Sequence, residues 1–410
     1  MSGAPLEPSA ALEPPGRGSV WSTPGMVALA LLATAGFTGY AALLPVAPLW
    51  AVSGGADSAG AGLVNFVLLG TTVATQFAVP WAIGRAGWAW VLSLGMVFLG
   101  VPSLLHLLTA DLGPVLALSA VRGVGFGILT VAANAAAVLL VEPARRGAAV
   151  GAYSFALSLP LVVVMPVGGW VADAIGFWPV FVIGALPLAG IPACVAVARH
   201  LPARSTHDAS HPEVAEPTTS RATYLALLRP TLVLLAITFA GGAVITFAPQ
   251  MVQVPWLSAA GLFAVGLLSA ITRWQVGGLA DRAGAQRLLV PAVLASVLVL
   301  AALAWVVRTP VDVSRAVPWI LVCALVGVCY GTLQTLTMLR AFEAAGPRRV
   351  GAASAVWNAG FDTGTATGSL VVGGVAVASG FGPGMALAAL LCLLTVPLAR
   401  VAPRPPRRAA

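Results

Sequence analysis

The octet GGLADRAG, residues 277–284, sets Asp281 beside Arg282 among glycines. Charge is scarce elsewhere. Charged residues are 8% of the 410, against roughly 25% in an ordinary soluble domain. Hydrophobic residues are 59%, and mean hydropathy is +0.96. On both sides of the octet run apolar stretches longer than the ~18–20 residues a helix needs to cross a hydrocarbon core. A polar, glycine-rich octet between two such stretches reads as a tight turn at a membrane surface. The surroundings exclude a soluble domain, which would have no polar surface to show to water.

Extended along the chain, the pattern predicts an all-α membrane protein with twelve transmembrane helices: 24–50, 58–82, 88–109, 112–140, 147–172, 176–198, 230–251, 256–280, 286–307, 317–342, 350–377 and 380–400. The Pro-rich residues 1–23 lack the basic start of a signal peptide and are expected as a cytoplasmic tail. A polar segment, 199–229, rich in Pro, Ser, Thr and His, is expected as a cytoplasmic linker between six-helix bundles 24–198 and 230–400; residues 401–410 form a basic cytoplasmic tail. All 21 basic residues are Arg. With the N-terminus inside, every Arg falls on the cytoplasmic side except Arg122 and Arg273 within spans and Arg308 and Arg315 outside. This asymmetry predicts cytoplasmic termini. It also accounts for the net charge of +8 as topology, with no nucleic-acid partner implied. The four cysteines lie in apolar spans and read as small packing residues. His200, His207 and His211 read as linker residues, and no metal site is expected.

The two halves repeat. Sliding the second back by 204 residues lays Gly123-Val-Gly-Phe-Gly127 on Gly327-Val-Cys-Tyr-Gly331, and Gly176-Phe177 on Gly380-Phe381. The octet has its own counterpart in PWAIGRAG, residues 80–87, with Arg85 over Arg282 and Gly87 over Gly284. Repeated six-helix halves place a site between two bundles that rock against each other.

These residues resemble the major facilitator superfamily over nearly the whole chain. Its loop signature, G-x-x-x-D-R-x-G-x-x-R, is complete at Gly277, Asp281, Arg282, Gly284 and Arg287. The first copy is broken, with Pro80 and Gly84 at the glycine and aspartate positions. Arg122 with Gly125 and Gly127 is similar to the family's fourth-helix signature, and Gly39 with Pro45, Val46 and Pro48 looks like the twelve-helix drug:proton antiporter branch. The fifth span keeps only Pro166 and Gly169 of the exporter pattern. The resemblance implies the major facilitator fold and a monomeric, multi-pass carrier of the bacterial-type inner membrane working by alternating access. It implies proton-coupled efflux of a small hydrophobic or amphipathic compound, with the proton gradient as energy source and no cofactor. An anionic metabolite is the alternative cargo. No P-loop, HExxH helix or GxSxG elbow is present, so an enzyme is not expected. The resemblance also implies that Asp281 latches onto the start of the fifth helix, near Pro143 to Gly147; the plainer reading is a turn that only sets topology.

Asp362 is the carboxylate near the middle of a span, where insertion costs roughly 2.5–3.5 kcal/mol. It is a candidate proton or cation carrier, or else a fixed structural partner. Ser354, Asn358, Asp362, Thr365 and Ser369 share one face of its helix, expected toward the pathway. Gly360, Gly364 and Gly368 share another, expected against a neighbouring helix. Arg122 is a coupling residue or a structural pair, and Arg273 lines the inner gate or snorkels to the interface. Gln76, the repeat partner of Arg273, follows Asn65 and Thr72 on one face. Tyr40, Asn134, Tyr330, Gln334 and Thr337 are further candidate pathway residues, with Trp357 and Trp274 as aromatic contacts.

Overall fold

The computed structural model describes residues 19–142, 145–201, 221–346 and 349–400. Residues 1–18 of the expected tail 1–23, the expected tail 401–410, and His207 and His211 in the linker lie outside the described residues. In the first half, α1 (Met26–Leu43) bends at Pro45 into α2 (Val46–Ser53). Next come α3 (Ser58–Gln76), the short α4 (Val79–Ala86), α5 (Trp88–Leu105), α6 (Leu112–Leu139) and α7 (Arg146–Ala174). The sixth span is α8 (Phe177–Gly184), a 3-10 stretch and α9 (Ile191–Ala198). The second half holds α10 (Arg221–Met251), α11 (Pro255–Ala283), α12 (Ala285–Val306), α13 (Ala316–Ala345), α14 (Val350–Ser379), α15 (Phe381–Leu394) and α16 (Val396–Arg400).

The expected helices form, with two informative differences. The second span, expected to run to residue 82, ends at Gln76, and α4 restarts after Ala78 with Pro80 in its first turn, where a missing N–H costs nothing. The seventh begins at Arg221, within the segment expected as linker. Among the described residues, 11 helices are long and apolar enough to cross a membrane. Of the twelve expected spans, α14 falls outside that set. It is as long as the others, but Asn358, Asp362 and its Thr and Ser residues dilute its apolar character. Such a helix needs protein rather than lipid around its polar face.

The halves build separate cores. One apolar cluster draws on the second half plus Ala61, another on the first half plus Ala366. The internal repeat is visible in the backbone too: Gly87 (φ 82°) matches Gly284 (φ 84°), and Gly176 (φ 114°) matches Gly380 (φ 78°). Each turn needs the left-handed conformation that glycine adopts without steric cost.

Glycine also sets helix spacing. A Cβ on Gly364 would meet Leu235 O at 2.7 Å, and one on Gly368 would press into the Phe239 carbonyl, so the α14 glycine face docks on α10 as expected. Gly374, on the same helix, has open space around it. Gly368→Ala is therefore expected to destabilise the protein by about 1–3 kcal/mol through overpacking, whereas Gly374→Ala should hold or raise the unfolding midpoint. Thermal unfolding of the purified variants checks the contrast.

Candidate functional site

The site lies where α3 meets α14 and α7 meets α11 across the two halves. Two physical features let α3 and α14 approach. Gly62 faces the Ser369 carbonyl and Gly373 faces that of Ser58, so the backbones touch without side chains between them. Polar groups then bridge the seam. Asn65 Nδ2 donates to Leu44 O (2.9 Å) and to Thr246 Oγ1 (2.8 Å), and Thr246 pairs with Ser369 Oγ (2.9 Å). Nearer the ends of these helices, Ser58 Oγ donates to Gln250 Oε1 (3.2 Å).

Toward the other end, the end that carries GGLADRAG, the last described hydrogen bond between halves is Gln76 Nε2 to Asp362 Oδ2, at 3.0 Å. Asp362 is 8% exposed and accepts no other hydrogen bond among the described residues. Tyr40 of α1 and Tyr330 of α13 stand within its electrostatic reach. Each tyrosine belongs to an aromatic group: Tyr40 stacks on Phe126 at 3.7 Å, and Tyr330 meets Phe361 edge-on at 6.2 Å. Arg273, close enough to Tyr330 to act on its hydroxyl, is exposed. Asp281, Arg282 and Arg287 are exposed as well. Asp281 makes no hydrogen bond or ion pair among the described residues. Pro143, in the segment expected to receive it, lies outside them. Among the described residues, the hydrogen bonds between the halves thus run from the Ser58–Gln250 end as far as Gln76 and Asp362, and none is described nearer the loop signature.

Arg122 is fully buried in the first half. Its Nη2 donates to Gly39 O at 3.1 Å, and the Tyr40 hydroxyl and the His106 ring lie within electrostatic reach of its charge. Among the described residues it forms no ion pair with Asp362; both act on the Tyr40 hydroxyl. Several other candidates turn away from the site. Asn358 donates to Ser354 O (2.8 Å) on its own helix. Trp357 is buried within the second half, stacked on Phe361 and donating to Thr337 Oγ1 (3.2 Å). Asn134 is exposed, Trp274 is 82% exposed, and Arg85 lies over the Trp81 ring at 6.0 Å. Gln334 is buried beside Tyr330 on α13. Sequence reasoning missed Thr246, whose hydroxyl joins three helices. Nothing in a lone threonine of an apolar span marks it.

Residues 29–356 match the Major Facilitator Superfamily. The chain belongs to that superfamily. Among curated relatives, an uncharacterized MFS-type transporter of Burkholderia mallei (strain SAVP1) is 44% identical over 71 residues, 17% of each chain. Another, of Pseudomonas aeruginosa (strain LESB58), is 38% identical over 110 residues, 26% of this chain and 27% of the relative. The matched stretches thus span well under half of these relatives' length. Among solved structures, a bacterial homolog of the human lysosomal transporter Spinster, inward-facing and unoccupied, superposes with TM-score 0.70 at 15% identity, covering 92% of this chain and 95% of that one. The peptide transporter POT in complex with sulfate gives TM-score 0.71 at 14% identity over 93% and 96%. Likeness at this identity establishes the facilitator fold, and the superfamily match with 11 candidate spans among the described residues makes the chain a multi-pass membrane protein.

The seam suggests a direct test of the closed end. Leucine at Gly62 has no room beside the Ser369 carbonyl and is expected to wedge that end apart. Spin labels on the 54–57 and 309–312 loops should report a longer distance in Gly62→Leu than in wild type.

Proposed function

We propose that this facilitator is a proton-coupled exporter of small hydrophobic or amphipathic compounds, resembling the drug:proton antiporter branch, and that Asp362 carries the proton. The observation that supports it most is the single hydrogen bond of Asp362. A carboxylate surrounded by protein in the membrane interior, bound only to the neutral amide of Gln76, has no fixed cation to hold it charged. Gaining or losing a proton therefore changes the one polar tie between the halves at this level. An ionised Asp362 accepts from Gln76 and holds α14 against α3. A protonated one loses its charge and much of the strength of that bond, since charge-assisted hydrogen bonds are roughly twice as strong as neutral ones.

On the expected topology the end beyond Gln76 and Asp362 is cytoplasmic, and we read it as the open one; the aromatic groups around Tyr40 and Tyr330 offer an apolar lining to a compound entering from the cell. The driving energy is adequate, since each charge moved inward gains roughly 2.3 kcal/mol per 100 mV. The latch expected of Asp281 belongs to the opposite conformation, in which this end closes. An anionic cargo is the second reading. It rests on Arg273, exposed on the open side of the site, because Arg122 is sealed inside the first half.

Dye accumulation in cells separates the two. The exporter reading expects wild type to lower ethidium accumulation in a protonophore-sensitive manner, Asp362→Asn to abolish the effect, and Arg273→Gln to retain much of it. An anion carrier would leave ethidium unchanged and lose anion flux in Arg273→Gln while keeping it in Asp362→Asn.

A further inference from the structure

On the first half, a cleft of about 170 Å³ opens between α1, α7 and α8. Ala42 of α1 and Gly168 of α7 form its floor, and its walls are aliphatic side chains of α7 and α8. Gly168 is what leaves it open. Sliding the halves by 204 residues lays Gly168 on Val372 and Val180 on Gly384. In the second half Val372 is fully buried, and a Cβ on Gly384 would meet its Cγ1 at 2.8 Å. A side chain thus fills there the place that Gly168 leaves vacant here.

The cleft faces away from the second half. Val162 and Gly169, seven residues apart on one face of α7, meet the second half at Gly266 and Pro249. Val164 and Val171, which line the cleft two residues on from each, lie about 200° further round the helix. Val163, Val167 and Ile183 form the mouth and are exposed. The mouth is continuous with exposed Trp170 and Val182 on the same two candidate spans. It therefore opens on the bilayer and not on the pathway between the halves.

Chemistry decides the occupant. The lining offers no polar side chain. Water is excluded, since a held water needs about two to four polar partners. An empty cleft would leave the lining atoms without partners and forfeit their dispersion contacts. Cargo recognition needs some placed polar group to fix orientation, and the cleft has none. A hydrocarbon chain needs only apolar walls. We propose that the cleft is a binding site for one acyl chain of a bilayer phospholipid. Its size suits a short length of chain, since an engineered cavity of roughly 150 Å³ admits benzene. The bound chain does for α7 what Val372 does for α14. It backs α7 beside Gly169, where that helix meets Pro249 of the second half. Support matters on this helix, because Pro160 and Pro166 each remove an intrahelical hydrogen bond and make it easier to bend. The site stands whatever the cargo is.

The test is photolabelling of the purified full chain in liposomes of phosphatidylethanolamine and phosphatidylglycerol. A phospholipid with a diazirine partway along one acyl chain is the probe. Peptide mapping should find several-fold more label on residues 163–171 and 180–183 than on their repeat partners, 367–375 and 384–387. Val167→Phe, which adds a ring at the mouth, should lower first-half labelling several-fold and leave the second half unchanged. Should Val167→Phe fail to fold, Ala42→Leu, which fills the cleft from its floor, should have the same effect. Equal labelling of the two halves would mean ordinary contact with surrounding lipid, and overturn the inference. So would labelling that persists undiminished in the filled variants. Labelling displaced by ethidium would make the cleft a cargo site and overturn it as well.

Discussion

Two helices from different halves touch backbone to backbone where Gly62 meets Ser369 and Gly373 meets Ser58, and the working parts of this protein hang on that contact. In a bilayer the lipid tails are as apolar as leucine, so burying apolar surface gives little reason for helices to associate. Close packing and interhelical hydrogen bonds must supply it. Small residues bring α3 and α14 close enough for Asn65, Thr246 and Ser369 to link at hydrogen-bond distance. Further along the same two helices, Gln76 reaches Asp362. A pair of bulky side chains at the glycines would separate both polar sets at once.

Such a seam suits a machine that must open. Neutral hydrogen bonds contribute only about 0.5–1.5 kcal/mol each, and a few of them can be exchanged for water when the halves rock apart. A strongly paired charge in the seam would resist that exchange. The two interior charges accordingly play different parts. Asp362 stands at the boundary, tied by one neutral amide. Arg122 is buried inside the first half, donating to the Gly39 backbone. Both occupy membrane depth, yet only Asp362 bonds to the other half.

Much of this was legible in the chain. Long apolar runs and scarce charge forced a helical membrane protein, because only helices and closed barrels satisfy every backbone group in hydrocarbon. The repeat at an offset of 204 foretold the matching turns at Gly176 and Gly380, since each demands glycine at positive φ. The spacing of Gly360, Gly364 and Gly368 foretold the docked face of α14. The loop signature and the other motifs pointed to the superfamily to which the chain belongs. All of these signals are local, or periodic along one helix, and survive being read in one dimension.

Pairings between helices were another matter. Asn358 and Asp362 lie on one face by spacing, yet Asn358 bonds back to Ser354 and Asp362 reaches the other half, because a rotamer and a neighbour choose between them. Trp357 stood out as a polar-tipped aromatic and turned inward to Thr337. Asp281 carries the most recognisable residue type of its loop but has no hydrogen bond or ion pair among the described residues. The sequence by itself determined which stretches span the membrane, that they repeat, and where backbone must approach backbone. Only the tertiary structure decided which polar atoms meet, because a hydrogen bond across helices depends on ångström-scale placement that no spacing along a single chain encodes.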